Sequence, residues 1–136
     1  MPKILASSGS SIRVVVIDDE VEIKDVLCEE LEERFPVTGF LDVESALRDL
    51  PHNDEPIIFA LDDCPAGRNV LLDKQVLLKQ RLKSQFPSGH YVWMSDRAYQ
   101  DRIERKDAEA AGFDAFLNKP FAVLELIRVI EKLDNK

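Results

Sequence analysis

Apolar positions along the chain fall into two patterns that take turns. "RVVVI" at 13–17 is an unbroken apolar run of strand length, while "EVEIKDVLCEELEERF" at 20–35 spaces Ile23, Val26, Leu27, Leu31 and Phe35 as one face of a helix. An extended piece, "VTGFLD", follows Pro36, and "VESALRDL" sets Val43, Ala46, Leu47 and Leu50 on one helical side before Pro51 ends it. "PIIFALDD" at 56–63 reads as a third strand and "NVLLDKQVLLKQRLKSQF" at 69–86 as a long helix stopped by Pro87. "HYVWMSD" at 90–96 gives a fourth strand. "YQDRIERKDAEAAG" at 99–112 predicts a fourth helix, with Gly112 where a C-terminal cap falls. "FDAFLNKPF" and "AVLELIRVIEKL" supply the last strand and helix. Near-continuous apolar strands alternating with helices predict an α/β fold: a doubly wound parallel sheet of five strands, covered on both faces by five helices.

In sheets of this kind ligands sit beyond the carboxyl ends of the strands. Here the first strand runs into Asp18, Asp19 and Glu20, the third ends in Asp62 and Asp63, the fourth in Ser95 and Asp96, and the fifth in Asn118 and Lys119. Three adjacent acids repel one another, so Asp18 to Glu20 need helix capping, plain solvation or a hard divalent cation to offset the cost. Convergence on one rim favours the cation. Carboxylates that hold it, with a hydroxyl and an ammonium opposite, can grip a phosphoryl group, whose oxygens need positive charge and hydrogen bonds.

Composition narrows the classes. The length of 136 residues with 45% hydrophobic residues suits one domain with a single core. A net charge of -8 and the lack of a basic stripe argue against direct nucleic-acid binding. Cys28 and Cys64 lie far apart, and His52 and His90 fall in no ligand spacing, so neither zinc nor a disulfide framework is expected. Cys28 belongs to an apolar helical face, while Cys64 lies in a loop beside acids. No apolar run approaches the ~20 residues of a membrane span, and "MPKILASSGSS" is too short in apolar residues for a signal peptide. Residues 1–11 read as a flexible lead-in, 12–136 as the domain, and the protein as cytoplasmic.

The sequence resembles a response-regulator receiver domain of two-component signalling, from residue 12 to about 134. The resemblance rests on "VVVIDDE", "PIIFALD", "YVWMS" and above all "AAGFDAFLNKPF", which follow that family's order and approximate spacing. It implies a flavodoxin-like strand order 2-1-3-4-5. It also implies a phosphoacceptor at Asp62, a direct Mg2+ ligand at Asp19, a water-mediated one at Asp18 and a third ligand from the Cys64 carbonyl. Ser95 would be the switch hydroxyl, Phe116 the aromatic switch residue and Lys119 the ammonium that pairs with the acceptor, joined to Pro120 by a cis peptide bond. The implied partners are a sensor histidine kinase or histidine phosphotransfer protein, and a downstream protein target. A homodimer would use the face of the fourth helix, fifth strand and fifth helix.

Each position also has a plainer reading: a helix cap for Asp18, a strand-end hydroxyl for Ser95, a core aromatic for Phe116, a loop residue for Lys119. Two departures stand out. "DDCPAG" leaves two residues between Asp62 and Pro65 where the family has three, which keeps Asp63 open as a rival acceptor. Asp96 stands where that family carries a small neutral residue, with Arg97 beside it to pair with Asp96 or with phosphoryl oxygens. These departures favour the alternative of a pseudo-receiver, a protein-binding module that is never phosphorylated. A metal-dependent phosphatase is disfavoured, because no Asp-x-Asp pair follows a strand. Lys136 closely follows the last helix, so a stand-alone receiver and a piece of a longer protein both fit.

Overall fold

The computed structural model describes residues 12–51, 56–67 and 69–135; the expected lead-in at 1–11 and His52 lie outside them. Five strands run β1 Arg13–Ile17, β2 Val37–Phe40, β3 Ile57–Asp62, β4 His90–Ser95 and β5 Ala115–Asn118. Between and after them come α1 Val21–Leu31, α2 Val43–Asp49, α3 Leu71–Gln85, α4 Arg105–Ala110 and α5 Val123–Asp134. The sheet is parallel throughout, in the order β2-β1-β3-β4-β5. That is the expected flavodoxin-like order.

The pleat divides the core in two. Val14 and Val16 of β1, Ile58 and Ala60 of β3, and Val92 and Met94 of β4 pack with Leu27 and Leu31 of α1 and Leu126 and Ile130 of α5. Their alternating neighbours Val15, Ile17, Phe59, Leu61, Tyr91 and Trp93 pack with residues of α2, α3 and α4. Both faces are therefore covered, as the apolar strands require.

Local chemistry sets the element ends. Asp42 opens α2 by accepting the Ser45 N–H at 2.8 Å. Gly112 ends α4 at φ +96°, a conformation that favours glycine. Gly39 lets α1 lie close on β2, since a Cβ there would come 2.7 Å from the Cys28 sulfur. Cys28 is accordingly half-buried against the sheet.

Two expectations need correction. Val26 does not share the buried face of α1 and is 52% exposed. The fourth helix begins at Arg105 instead of residue 99. Residues 97–103 form turns, in which the Ile103 N–H reaches the Ala98 carbonyl at 2.8 Å and Arg102 takes the left-handed φ of 58°. Asp107 then ties down the start of α4, its Oδ2 accepting the Glu104 N–H at 2.8 Å.

Candidate functional site

β1 and β3 are neighbours in the sheet, so their carboxyl ends bring Asp18 and Asp62 together, and Lys119 arrives from the far end of β5. The Lys119 ammonium donates to Asp62 Oδ1 at 2.7 Å and to Asp18 Oδ2 at 3.0 Å. Asp18 is buried; its other oxygen accepts the Glu20 N–H at 2.9 Å and so shapes the turn into α1. Helix α1 itself starts at Glu20 without a side-chain cap, so Asp18 serves the turn and the ion pair and does not cap the helix. Asp19, one residue further along, is exposed. Carboxylate oxygens of Asp18, Asp19 and Asp62 lie within 4.8 Å of one another.

One ammonium among three carboxylates leaves net negative charge in a partly buried place. Burial pushes the Asp62 carboxyl up to about 7, against the pull of the Lys119 hydrogen bond and charge, with the Asp18 charge adding to the rise. For Lys119 burial works downward, but the hydrogen bonds and charges of Asp62 and Asp18 outweigh it and hold the ammonium protonated. An all-oxygen, anionic set of this size suits a hard divalent cation. A cleft of about 420 Å3 opens beside Asp19 and Asp62, walled by Leu41, Val43 and Leu78.

Ser95 ends β4 with its hydroxyl buried, where Oγ accepts the N–H groups of Arg97 at 3.2 Å and Ala98 at 2.9 Å. Phe116 is buried and meets Trp93 edge-on, ring centres 5.3 Å apart. The Lys119–Pro120 bond is cis, as expected.

The two departures resolve into definite contacts. Asp63 does not face Lys119. Its Oδ1 accepts the Trp93 indole N–H at 2.8 Å, and its Oδ2 accepts the backbone N–H groups of Asp96 and Arg97, each at 3.1 Å. Arg97 does not pair with Asp96. Its guanidinium lies 3.5 Å from Asp101. Asp96 is exposed, and partial burial together with the Asp63 carboxylate raises its own carboxyl.

The Cys64 N–H donates to the side-chain oxygen of Gln75 at 2.9 Å, and the Gln75 amide donates to the Asp62 carbonyl at 2.9 Å. Gln75 is fully buried and splints the shortened loop to α3. Sequence reasoning missed it, although a signal was present: Gln75 sits four residues after Leu71 and seven before Leu82, on the apolar stripe of the helix.

No family model matches the sequence, and no curated protein matches it either. Solved structures do. The BeF3-activated DrrB receiver domain superposes with a TM-score of 0.72 at 19% identity, covering 93% of this chain and 99% of that one. A response regulator from Thermotoga maritima gives 0.70 at 19% identity, with the same coverage of each chain. The fold is that of response-regulator receiver domains. A chain described as adenylate cyclase from Rhodopirellula baltica shares this receiver fold, at a TM-score of 0.71 and 19% identity over 90% of this chain and 86% of that one. Among the described residues no helix is long and apolar enough to cross a membrane.

Proposed function

We propose that the chain is a phosphoacceptor receiver domain, with Asp62 as acceptor. The observation that carries this reading is the Lys119 ammonium shared between Asp62 at 2.7 Å and Asp18 at 3.0 Å, at the strand ends where doubly wound sheets bind ligands. An Asp62 oxygen forms the new bond to phosphorus as the nitrogen–phosphorus bond of a phosphohistidine breaks; the departing imidazole takes a proton from solvent. Lys119 stays beside the acceptor oxygen and then faces the phosphoryl group. Asp18, Asp19 and Asp62, with the Cys64 carbonyl, would hold Mg2+. When bound, that ion neutralises charge on the transferring group. Ser95 and Phe116 would pass the change to α4, β5 and α5, the face for a downstream target or a second copy. The phosphodonor would be a sensor histidine kinase or a histidine phosphotransfer protein, and the setting cytoplasmic.

The test is intact-mass analysis after acetyl phosphate and Mg2+. The parent should gain one phosphoryl group, Asp62→Asn none, and Asp63→Asn should still gain it. Loss in the Asp63 variant alone would transfer the acceptor role to Asp63. A second reading, the pseudo-receiver, draws on the Asp63 and Asp96 carboxylates, whose oxygens lie within 4.8 Å of an Asp62 oxygen and oppose an incoming phosphoryl group. It predicts no mass gain in the parent.

A further inference from the structure

The acceptor role leaves the Asp63 carboxylate unexplained. Three donors from the neighbouring strand and its following loop converge on it: the Trp93 indole at 2.8 Å and the Asp96 and Arg97 N–H groups at 3.1 Å. The Arg97 N–H is shared, because it also reaches the Ser95 hydroxyl oxygen at 3.2 Å. Carboxylate and hydroxyl therefore hold one turn between them. Trp93 in turn packs against Phe113, ring centres 5.2 Å apart, and edge-on against Phe116. A single side chain thus joins the strand end that carries Asp62 to the loop after Ser95 and to the Trp93–Phe116 pair.

We propose that Asp63 is a positioning residue, a latch that keeps the loop after Ser95 and the Trp93–Phe116 pair in their present packing and gives way when Asp62 is phosphorylated. The proposal rests on the phosphoacceptor reading. Its physics is competition. Oxygens of Asp62, Asp63 and Asp96 lie within 4.8 Å of one another, so a phosphoryl group on Asp62 sets new negative charge beside Asp63. It also offers strong acceptor oxygens to the amides and hydroxyl that Asp63 and Ser95 now engage. An uncharged residue at 63 would feel no such repulsion and would hold the three donors more weakly to begin with.

Trp93 is the single tryptophan of the chain, so its emission reports directly on the latch. The experiment follows Trp93 fluorescence and intact mass together, with acetyl phosphate and Mg2+ as the probe, in the parent, Asp63→Asn and Trp93→Phe. In the parent, phosphorylation should change the emission. Asp63→Asn should show an emission close to that of the phosphorylated parent before any donor is added, and should gain the phosphoryl group about tenfold faster, the equivalent of one charge-assisted hydrogen bond. Trp93→Phe removes the indole donor and keeps the carboxylate, so faster mass gain there separates a released latch from a mere loss of charge. Parental emission and a parental response in Asp63→Asn would overturn the latch, as would acceleration in Asp63→Asn with none in Trp93→Phe. A parent that gains no mass would overturn the phosphoacceptor reading and the release step with it, whereas a parent that gains mass beside an unaltered Asp63→Asn would overturn the latch alone. Should Asp63→Asn fail to fold, by far-UV circular dichroism, the Trp93→Phe rate decides.

Discussion

Without a divalent cation, Asp62→Asn should stabilise the fold at pH 8. The Asp62 carboxyl is pushed from an ordinary 3.8 to about 7, first by burial and then by the Asp18 charge, in spite of Lys119. Because the folded chain binds this proton more tightly than the unfolded one, the contribution of Asp62 to stability is fully present below pH 3.8 and is lost as pH rises through about 7. At ~1.4 kcal/mol per pH unit, that rise sets a ceiling of ~4 kcal/mol. Asparagine recovers less. Its amide remains a buried polar group, and Lys119 keeps only Asp18. A net gain of ~2 kcal/mol is expected, which for a domain of this length raises the melting temperature by ~6–8 °C.

Thermal or urea unfolding of the parent and the variant, at pH 8 and at pH 4 with and without Mg2+, reads this directly. The gap between the two proteins should be widest at pH 8 without Mg2+. It should close toward pH 4, where the folded carboxyl is neutral and the unfolded one is only about half ionised, and should narrow when Mg2+ is added to the parent. A variant less stable than the parent at pH 8 without Mg2+ would refute the reasoning, and would mean that the Lys119 pair stabilises more than the buried charge costs.

Asp19→Asn should abolish saturable Mg2+ binding followed by Trp93 fluorescence or NMR while moving the apo midpoint little, because Asp19 is exposed. Asp18→Asn should destabilise the fold by ~1–2 kcal/mol, since its carboxylate is the second partner of Lys119 and the acceptor for the Glu20 N–H; a gain in stability would show that repulsion from Asp62 dominates there too. Gln75→Leu should cost ~2–3 kcal/mol in urea unfolding, because it strands the Cys64 N–H and deprives the Asp62 carbonyl of a donor. Gly39→Ala should destabilise by ~1–3 kcal/mol through contact with the Cys28 sulfur, and Cys28→Ala should relieve most of it in the double variant; additive effects would show that the sulfur is not what the added methyl meets.

Much of this fold is legible in the sequence because its strands are buried on both faces. Runs such as "IIFAL" admit few sheet arrangements, and the polar residues that end each run mark the rim. Asp18, Asp62, Ser95 and Lys119 were all visible that way, and three of them meet through Lys119. Less was legible where a polar residue answers to a distant partner. "YQDRI" has helical composition, yet the turn closed by Ile103 on Ala98 takes those residues out of α4. Arg97 has acids at 96 and 101, and only the turn's geometry selects Asp101. Val26 sits near the boundary of the apolar stripe of α1, where a rotation of a fraction of a turn separates burial from exposure.

The pair Asp62 and Asp63 shows how little separates a visible role from a hidden one. Successive residues of a strand face opposite sides of the sheet. Ile58 and Ala60 point to the α1–α5 face while Phe59 and Leu61 point to the other. Continuing that alternation sends Asp62 to the side where Lys119 waits and Asp63 to the side of Trp93. The same carboxyl group, moved one residue along the chain, goes from sharing an ammonium with Asp18 to binding three N–H donors of the next strand and loop. Both Asp63 oxygens are engaged by N–H donors, which hold the carboxylate toward β4 and the loop that follows it. On the proposed phosphoacceptor reading, the carboxylate held beside an ammonium at the cleft is the one that takes the phosphoryl group. What each oxygen is already bound to therefore separates Asp62 from Asp63, and the shortened loop matters less than the direction of the pleat.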